Sequence, residues 1–95
     1  MKKIRRLVLD VMKPHEPSII KFATDISELE GVDGVNSSII EIDRAVENIK
    51  ITLEGPNIKY EKVREVIEEL GGSVHSVDQV ICGEHVVEET KTPQD

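Results

Sequence analysis

The sequence predicts an α+β fold: a four-stranded antiparallel sheet in the order 4-1-3-2 with two helices packed on one face. Three observations carry that prediction. Four short runs are rich in Ile, Val and Leu, two of them with a period of two; apolar residues recur at three- and four-residue spacing in two other runs, and glycine or proline marks the junctions. The order is β-α-β-β-α-β, and right-handed crossovers then dictate the strand order.

The first run, residues 4–12, has Leu7, Leu9 and Val11 alternating with Arg6, Val8, Asp10 and Met12. Both phases hold apolar side chains, as in a strand interior to its sheet. Pro14 and Pro17 stop the run because neither can donate to a ladder, which leaves a stiff loop with Lys13, His15 and Glu16. Residues 18–29 place Ile19, Phe22, Ala23, Ile26 and Leu29 on one helical face, started by Ser18 as cap or by Pro17 at the first position. Gly31 ends that helix, and Asp33-Gly34 turns the chain. Residues 35–43 read as an edge strand, with Ile39, Ile40 and Ile42 softened by Asn36, Ser37 and Ser38. A connection at 43–47 leads to residues 48–54, where Ile49, Ile51 and Leu53 alternate with polar residues. Gly55-Pro56-Asn57 reads as a breaker before a second helix over 58–70, closed by Gly71-Gly72. The last strand, 73–82, carries Val74, Val77, Val80 and Ile81 on mixed phases, the mark of a bulge.

This is the split βαβ, or ferredoxin-like, pattern, a single domain over residues 1–88 followed by an acidic tail, 89–95, expected to be disordered. Helices on one face leave the other bare. It would display Val8, Asp10, Met12, Lys50 and Thr52, a surface expected to be too apolar in its middle for water and therefore covered by sister copies.

Composition narrows the functional classes. With 19 acidic against 12 basic residues the net charge is -7, and the aromatic residues are Phe22 and Tyr60 alone. Such a field repels phosphate backbones and offers little to stack on bases, so nucleic acid is not an expected partner. The short basic cluster Lys2, Lys3, Arg5 and Arg6 reads as solvated or paired. One cysteine, Cys82, excludes an internal disulfide and is expected to be a small buried apolar residue. The basic start contains Asp10 and leads to no small-residue cleavage site, and no apolar run spans a bilayer, so a cytoplasmic location is expected.

The loop after the first strand, the 43–47 connection and the Gly71-Gly72-Ser73 turn share one end of the sheet. They gather His15, Glu16, Asp43, Glu47 and His75. Asp43, Glu47 and Glu16 are the candidate ligands for a hard divalent cation, calcium before copper, because such ions take oxygen donors. The same residues also read as a solvated acidic rim. Asp10, Lys13, His15 and Glu16 are candidate ligand-binding residues, with Asp10 alternatively paired to Arg6, Lys50 or a neighbouring subunit. Catalytic residues are not assigned: His15 has no partner nucleophile or orienting acid at a recognisable spacing, and no phosphate-binding glycine loop occurs.

The stretch Leu7-Val8-Leu9-Asp10-Val11-Met12-Lys13-Pro14-His15-Glu16-Pro17-Ser18, with Leu29-Glu30-Gly31-Val32-Asp33-Gly34-Val35-Asn36, Ile67-Glu68-Glu69-Leu70-Gly71-Gly72 and His75-Ser76-Val77-Asp78, resembles the archaeal family domain of unknown function 211. The resemblance covers roughly residues 3–88 and implies a ferredoxin-like fold, ring-like or otherwise multimeric homo-oligomers, a bound calcium and no established activity. Small heavy-metal-transfer domains share the fold but need Cys-x-x-Cys where Lys13-Pro14-His15-Glu16 stands. The leading expectation is a non-enzymatic homo-oligomeric binding or regulatory module. The second is a small-molecule sensor for an amino-acid-like or nucleotide ligand held between subunits, and the third is an enzyme using His15 and Glu16.

Overall fold

β1 (Ile4–Pro14) is the central strand on which the others assemble, as its two apolar phases predict. Alternate residues Leu7, Leu9 and Val11 are fully buried, and Val8, Asp10 and Met12 between them are half-buried. The computed structural model describes residues 2–89, so the expected tail at 89–95 lies outside the described residues except for Glu89. After β1 come α1 (Ile19–Ser27), β2 (Gly34–Ile42), β3 (Val46–Ile58), α2 (Tyr60–Glu69) and β4 (Ser73–Cys82). The sheet order is β2-β3-β1-β4, antiparallel throughout, which is the ferredoxin-like arrangement.

Local signals place the elements. Ser18 is the cap of α1, its hydroxyl accepting from the Ile20 amide at 3.2 Å. Gly31 and Gly71 follow the two helices with φ of 89° and 90°, a backbone region that side chains other than glycine rarely adopt. Phe22 and Ile26 of α1 and Val63 and Ile67 of α2 close over Ile49, Ile51 and Leu53 of β3, making an aliphatic core with one aromatic ring at its centre. The bulge read from the mixed phases of β4 is present, with register shifts against β1 between Val8 and Leu9 and between Asp10 and Val11.

Three expectations require correction. Gly55-Pro56-Asn57 does not break the chain: β3 runs on to Ile58, and its register with β1 shifts there, Glu54 opposite Arg6 and Ile58 opposite Ile4. A bulge tolerates proline because the missing N–H costs no ladder bond. Cys82 is exposed, not buried. Nor does Pro14 stop the first strand short of Lys13: β1 runs through both, Lys13 opposite Glu47 and Pro14 opposite Val46, while at the other end of the strand Arg6 lies across the bare face. Its guanidinium donates to Glu54 of β3 at 2.8 Å and to Glu88 at 2.9 Å and 3.0 Å, pinning the segment after β4 against the sheet. Exposed apolar side chains stand along the two edge strands, Ile39, Ile40 and Ile42 on β2 and Val77 and Val80 on β4, and also at Ile20 of α1 and at Val86 and Val87 after β4. No helix of the described residues is long and apolar enough to cross a membrane.

Candidate functional site

The end of the sheet picked out in the sequence carries two groups of polar side chains, one on each face. Lys13 continues the buried phase of Leu7, Leu9 and Val11 by one step and points to the helix side, where it is 1% exposed. A buried ammonium must be fully hydrogen-bonded, and this one is. Its three protons meet the Pro14 carbonyl at 2.7 Å, the His15 carbonyl at 3.4 Å and Glu47 Oε1 at 2.8 Å. The Phe22 ring lies 5.6 Å below the charge, within cation–π range. Register explains the pairing, since Lys13 and Glu47 are opposed on adjacent strands.

Glu47 uses its second oxygen on His15, whose Nδ1 lies 3.1 Å away, while His15 Nε2 lies 2.9 Å from the Arg44 carbonyl. Both ring nitrogens therefore face acceptors, and only the imidazolium satisfies both. The Glu47 carboxylate, with the Arg44 carbonyl behind it, raises the His15 pKa above 6.5, and Lys13, with His15 behind it, lowers that of Glu47 below 4.5. The signs fix a pH window. The His15 contribution is complete below pH 6.5 and fades as pH rises through its raised folded value. The Glu47 contribution is complete above pH 4.5 and fades as pH falls through its lowered one. Thermal melts are expected to give a lower Tm at about pH 8 than at about pH 6, with the difference reduced in His15→Gln. An unchanged slope in that variant would remove His15 from the account.

On the bare face, Asp10 accepts from the Asn48 side-chain amide, which also approaches Met12 Sδ at 3.4 Å. Neither Arg6 nor Lys50 is its partner; Asn48, one strand over, was missed because its amide carries no charge signal. Asp43 shapes the hairpin, its Oδ1 accepting from the Ala45 amide at 3.0 Å and the Val46 amide at 2.9 Å, and these two bonds lower its pKa. A hollow of about 290 Å³ opens here, lined by Asp10, Met12, Glu41, Asp43, Asn48 and His75 together with Val46. It touches all four strands.

The sheet thus separates what the sequence had gathered. Lys13, His15 and Glu47 form one network, Asp10, Asp43 and His75 line the hollow, and Glu16 is exposed without a side-chain hydrogen bond among the described residues. Asp43, Glu47 and Glu16 are not brought into a cation-binding group: no cluster of three or more His, Cys, Asp or Glu with that geometry occurs among the described residues. Both Glu47 oxygens are engaged by cations of the chain itself.

A sequence profile described as Uncharacterized ArCR, domain of unknown function 211, matches residues 5–95. An uncharacterised protein of Methanocaldococcus jannaschii is 48% identical over 95 residues, covering 100% of this chain and 98% of that protein.

Proposed function

Because the chain belongs to the uncharacterised archaeal family domain of unknown function 211, a premise that fixes no chemistry, we propose that it is a non-enzymatic module that works as a homo-oligomer joined through its strand edges. The observation that carries the reading is the exposure of five β-branched side chains on those edges: Ile39 at 44%, Ile40 at 59% and Ile42 at 57% on β2, Val77 at 44% and Val80 at 49% on β4. Natural sheets blunt their edges with charge or cover them. Here the apolar residues are left on both, so the occupant that fits is a second copy offering the opposite edge. β2 and β4 run in opposite directions in an antiparallel sheet. A neighbour that sets its β4 beside β2 in the same orientation continues the alternation and keeps the helices of both copies on one side. A head-to-tail contact of that kind gives a ring when its rotation closes. His15 fits the non-enzymatic part, since its ring nitrogens are committed to Glu47 and to the Arg44 carbonyl.

Light scattering at micromolar concentration tests this. The wild type is expected to be multimeric, and Ile40→Asp or Val77→Asp to yield folded monomers, because a charge at the centre of an apolar contact is left unpaired. A monomeric wild type overturns the proposal.

The hollow on the bare face favours a second reading, a sensor whose ligand sits against Asp10 between subunits. Three carboxylates line it, Asp10, Glu41 and Asp43, so the amino end of an amino-acid-like ligand suits it better than a nucleotide phosphate. In a thermal-shift screen a ligand at 100 times its Kd adds about 2.7 kcal/mol. A rise in Tm with an amino compound that is lost in Asp10→Asn is expected, and a flat screen rejects this reading.

A further inference from the structure

The opposite end of the molecule carries a site of the reverse sign. A hollow of about 480 Å³ lies between the start of β1 and the junction of β3 with α2. Its floor is apolar, formed by Ile4, Ile58 and the half-buried ring of Tyr60. Lys2, Lys3, Lys59 and Lys62 stand around it, all exposed. In a chain of net charge -7 this concentration of cations runs against the average. The acidic neighbours do not cancel it. Glu61, the carboxylate on this rim, is held by Arg64 at 2.8 Å, Lys62 reaches Glu65 only at 3.8 Å, and Lys2 meets Glu84 at 3.4 Å. Lys3 and Lys59 have no ion pair among the described residues. The arginines of the same basic cluster are spent on structure, Arg5 on the carbonyls of Gly55, Gly83 and Glu84, and Arg6 on carboxylates.

Size, floor and charge agree on an occupant. Small-molecule sites are concave, mostly apolar and oriented by a few charged groups, and this hollow falls within their usual volume. We propose that it binds a small organic anion: a phosphate or carboxylate held by Lys3 and Lys59, carried on a flat apolar body that rests on Ile4, Ile58 and Tyr60. The site lies on neither edge strand's apolar row, so the proposal stands apart from the oligomeric reading.

Calorimetric titration of the full chain at low salt with phenyl phosphate tests it. Saturable binding is expected, weakened by added salt, because exposed charges are screened. Inorganic phosphate should bind roughly tenfold more weakly, for want of the ring's apolar burial. The double variant Lys3→Gln/Lys59→Gln should lose roughly tenfold or more, the scale of charge-assisted hydrogen bonds. Both lysines are exposed, so an unchanged melt shows that the variant is folded. No saturable binding of phenyl phosphate overturns the proposal, as does equal affinity in the double variant. Equal affinity for inorganic phosphate overturns the assignment of the apolar floor.

Discussion

Gly55→Ala is expected to be among the most destabilising single-methyl additions possible in this chain. Gly55 lies in the β3 bulge, buried where the connection from α1 to β2 crosses it. A Cβ there would meet the Gly31 carbonyl oxygen at 2.1 Å, and the Asp33 nitrogen and Val32 Cα at 2.9 Å. These are backbone atoms and cannot swing aside. They are also fixed by hydrogen bonds, Asp33 N donating to the Glu54 carbonyl at 2.8 Å and Asn57 N to the Gly31 carbonyl at 3.3 Å. Relieving the clash means parting the two segments and losing both bonds. Overpacking in a rigid site costs about 1–3 kcal/mol or more, and each lost bond adds about 1 kcal/mol. A total of about 3–5 kcal/mol is a large part of the stability of a domain this size and corresponds to a fall in Tm of more than about 10 °C. Gly31→Ala should behave the same way, since its Cβ would meet the Asn57 carbonyl oxygen at 2.0 Å and its φ is 89°. Gly34→Ala is the control. Nothing lies within 4 Å of its Cβ, and its melt should stay within a few degrees of the wild type. A wild-type melt for Gly55→Ala would refute the close crossing.

That crossing also explains where the sequence was legible and where it was not. Periodicity locates β1, β3 and both helices because each buries one face, and burial is written as spacing; β2 and β4, with little buried, are legible from their β-branched residues and the turns that bound them. Ser18 and Gly71 are legible for a local reason, a cap and a left-handed turn being set by a few neighbouring residues. Gly55-Pro56-Asn57 misleads because a bulge and a turn use the same residue types, and only the backbone packed against Gly55 distinguishes them. The candidate site divides on the same principle. That loop one meets the β2–β3 hairpin follows from topology alone. Which side chains meet follows from phase and register, and Lys13 was readable in principle, as the next position after Leu7, Leu9 and Val11 in the buried alternation. Its charge argued against burial until Glu47 stood opposite it. The edge position of β2 was legible, because residues 35–43 read as an edge strand and the topology sets the strand order; what spacing does not show is that Ile39, Ile40 and Ile42 stay exposed there.

The second large effect is expected from Glu47→Leu, and a double-variant cycle shows why it is a matter of charge. Glu47 is the only carboxylate on the buried Lys13 ammonium among the described residues. Removing it leaves that cation with two carbonyls and the Phe22 ring, in a place from which water is excluded. Breaking a buried pair by deleting one partner is strongly destabilising, so the Tm should fall by roughly 10 °C or more. Lys13→Met should cost less. Its side chain keeps the length and the contact with Phe22, and Glu47 retains His15 as a partner at 3.1 Å. Lys13→Met/Glu47→Leu should then recover most of the loss, because replacing both ions of a buried pair by apolar groups is often neutral. Thermal melts of the four proteins at about pH 6, with His15 protonated, measure the coupling directly. A double variant that melts at or below Glu47→Leu would mean that Glu47 acts through hairpin packing and not by neutralising Lys13. The His15 link predicts one thing more. Glu47→Leu also takes from His15 the carboxylate that raises its pKa, so the loss of Tm between about pH 6 and pH 8 should flatten in this variant as it does in His15→Gln.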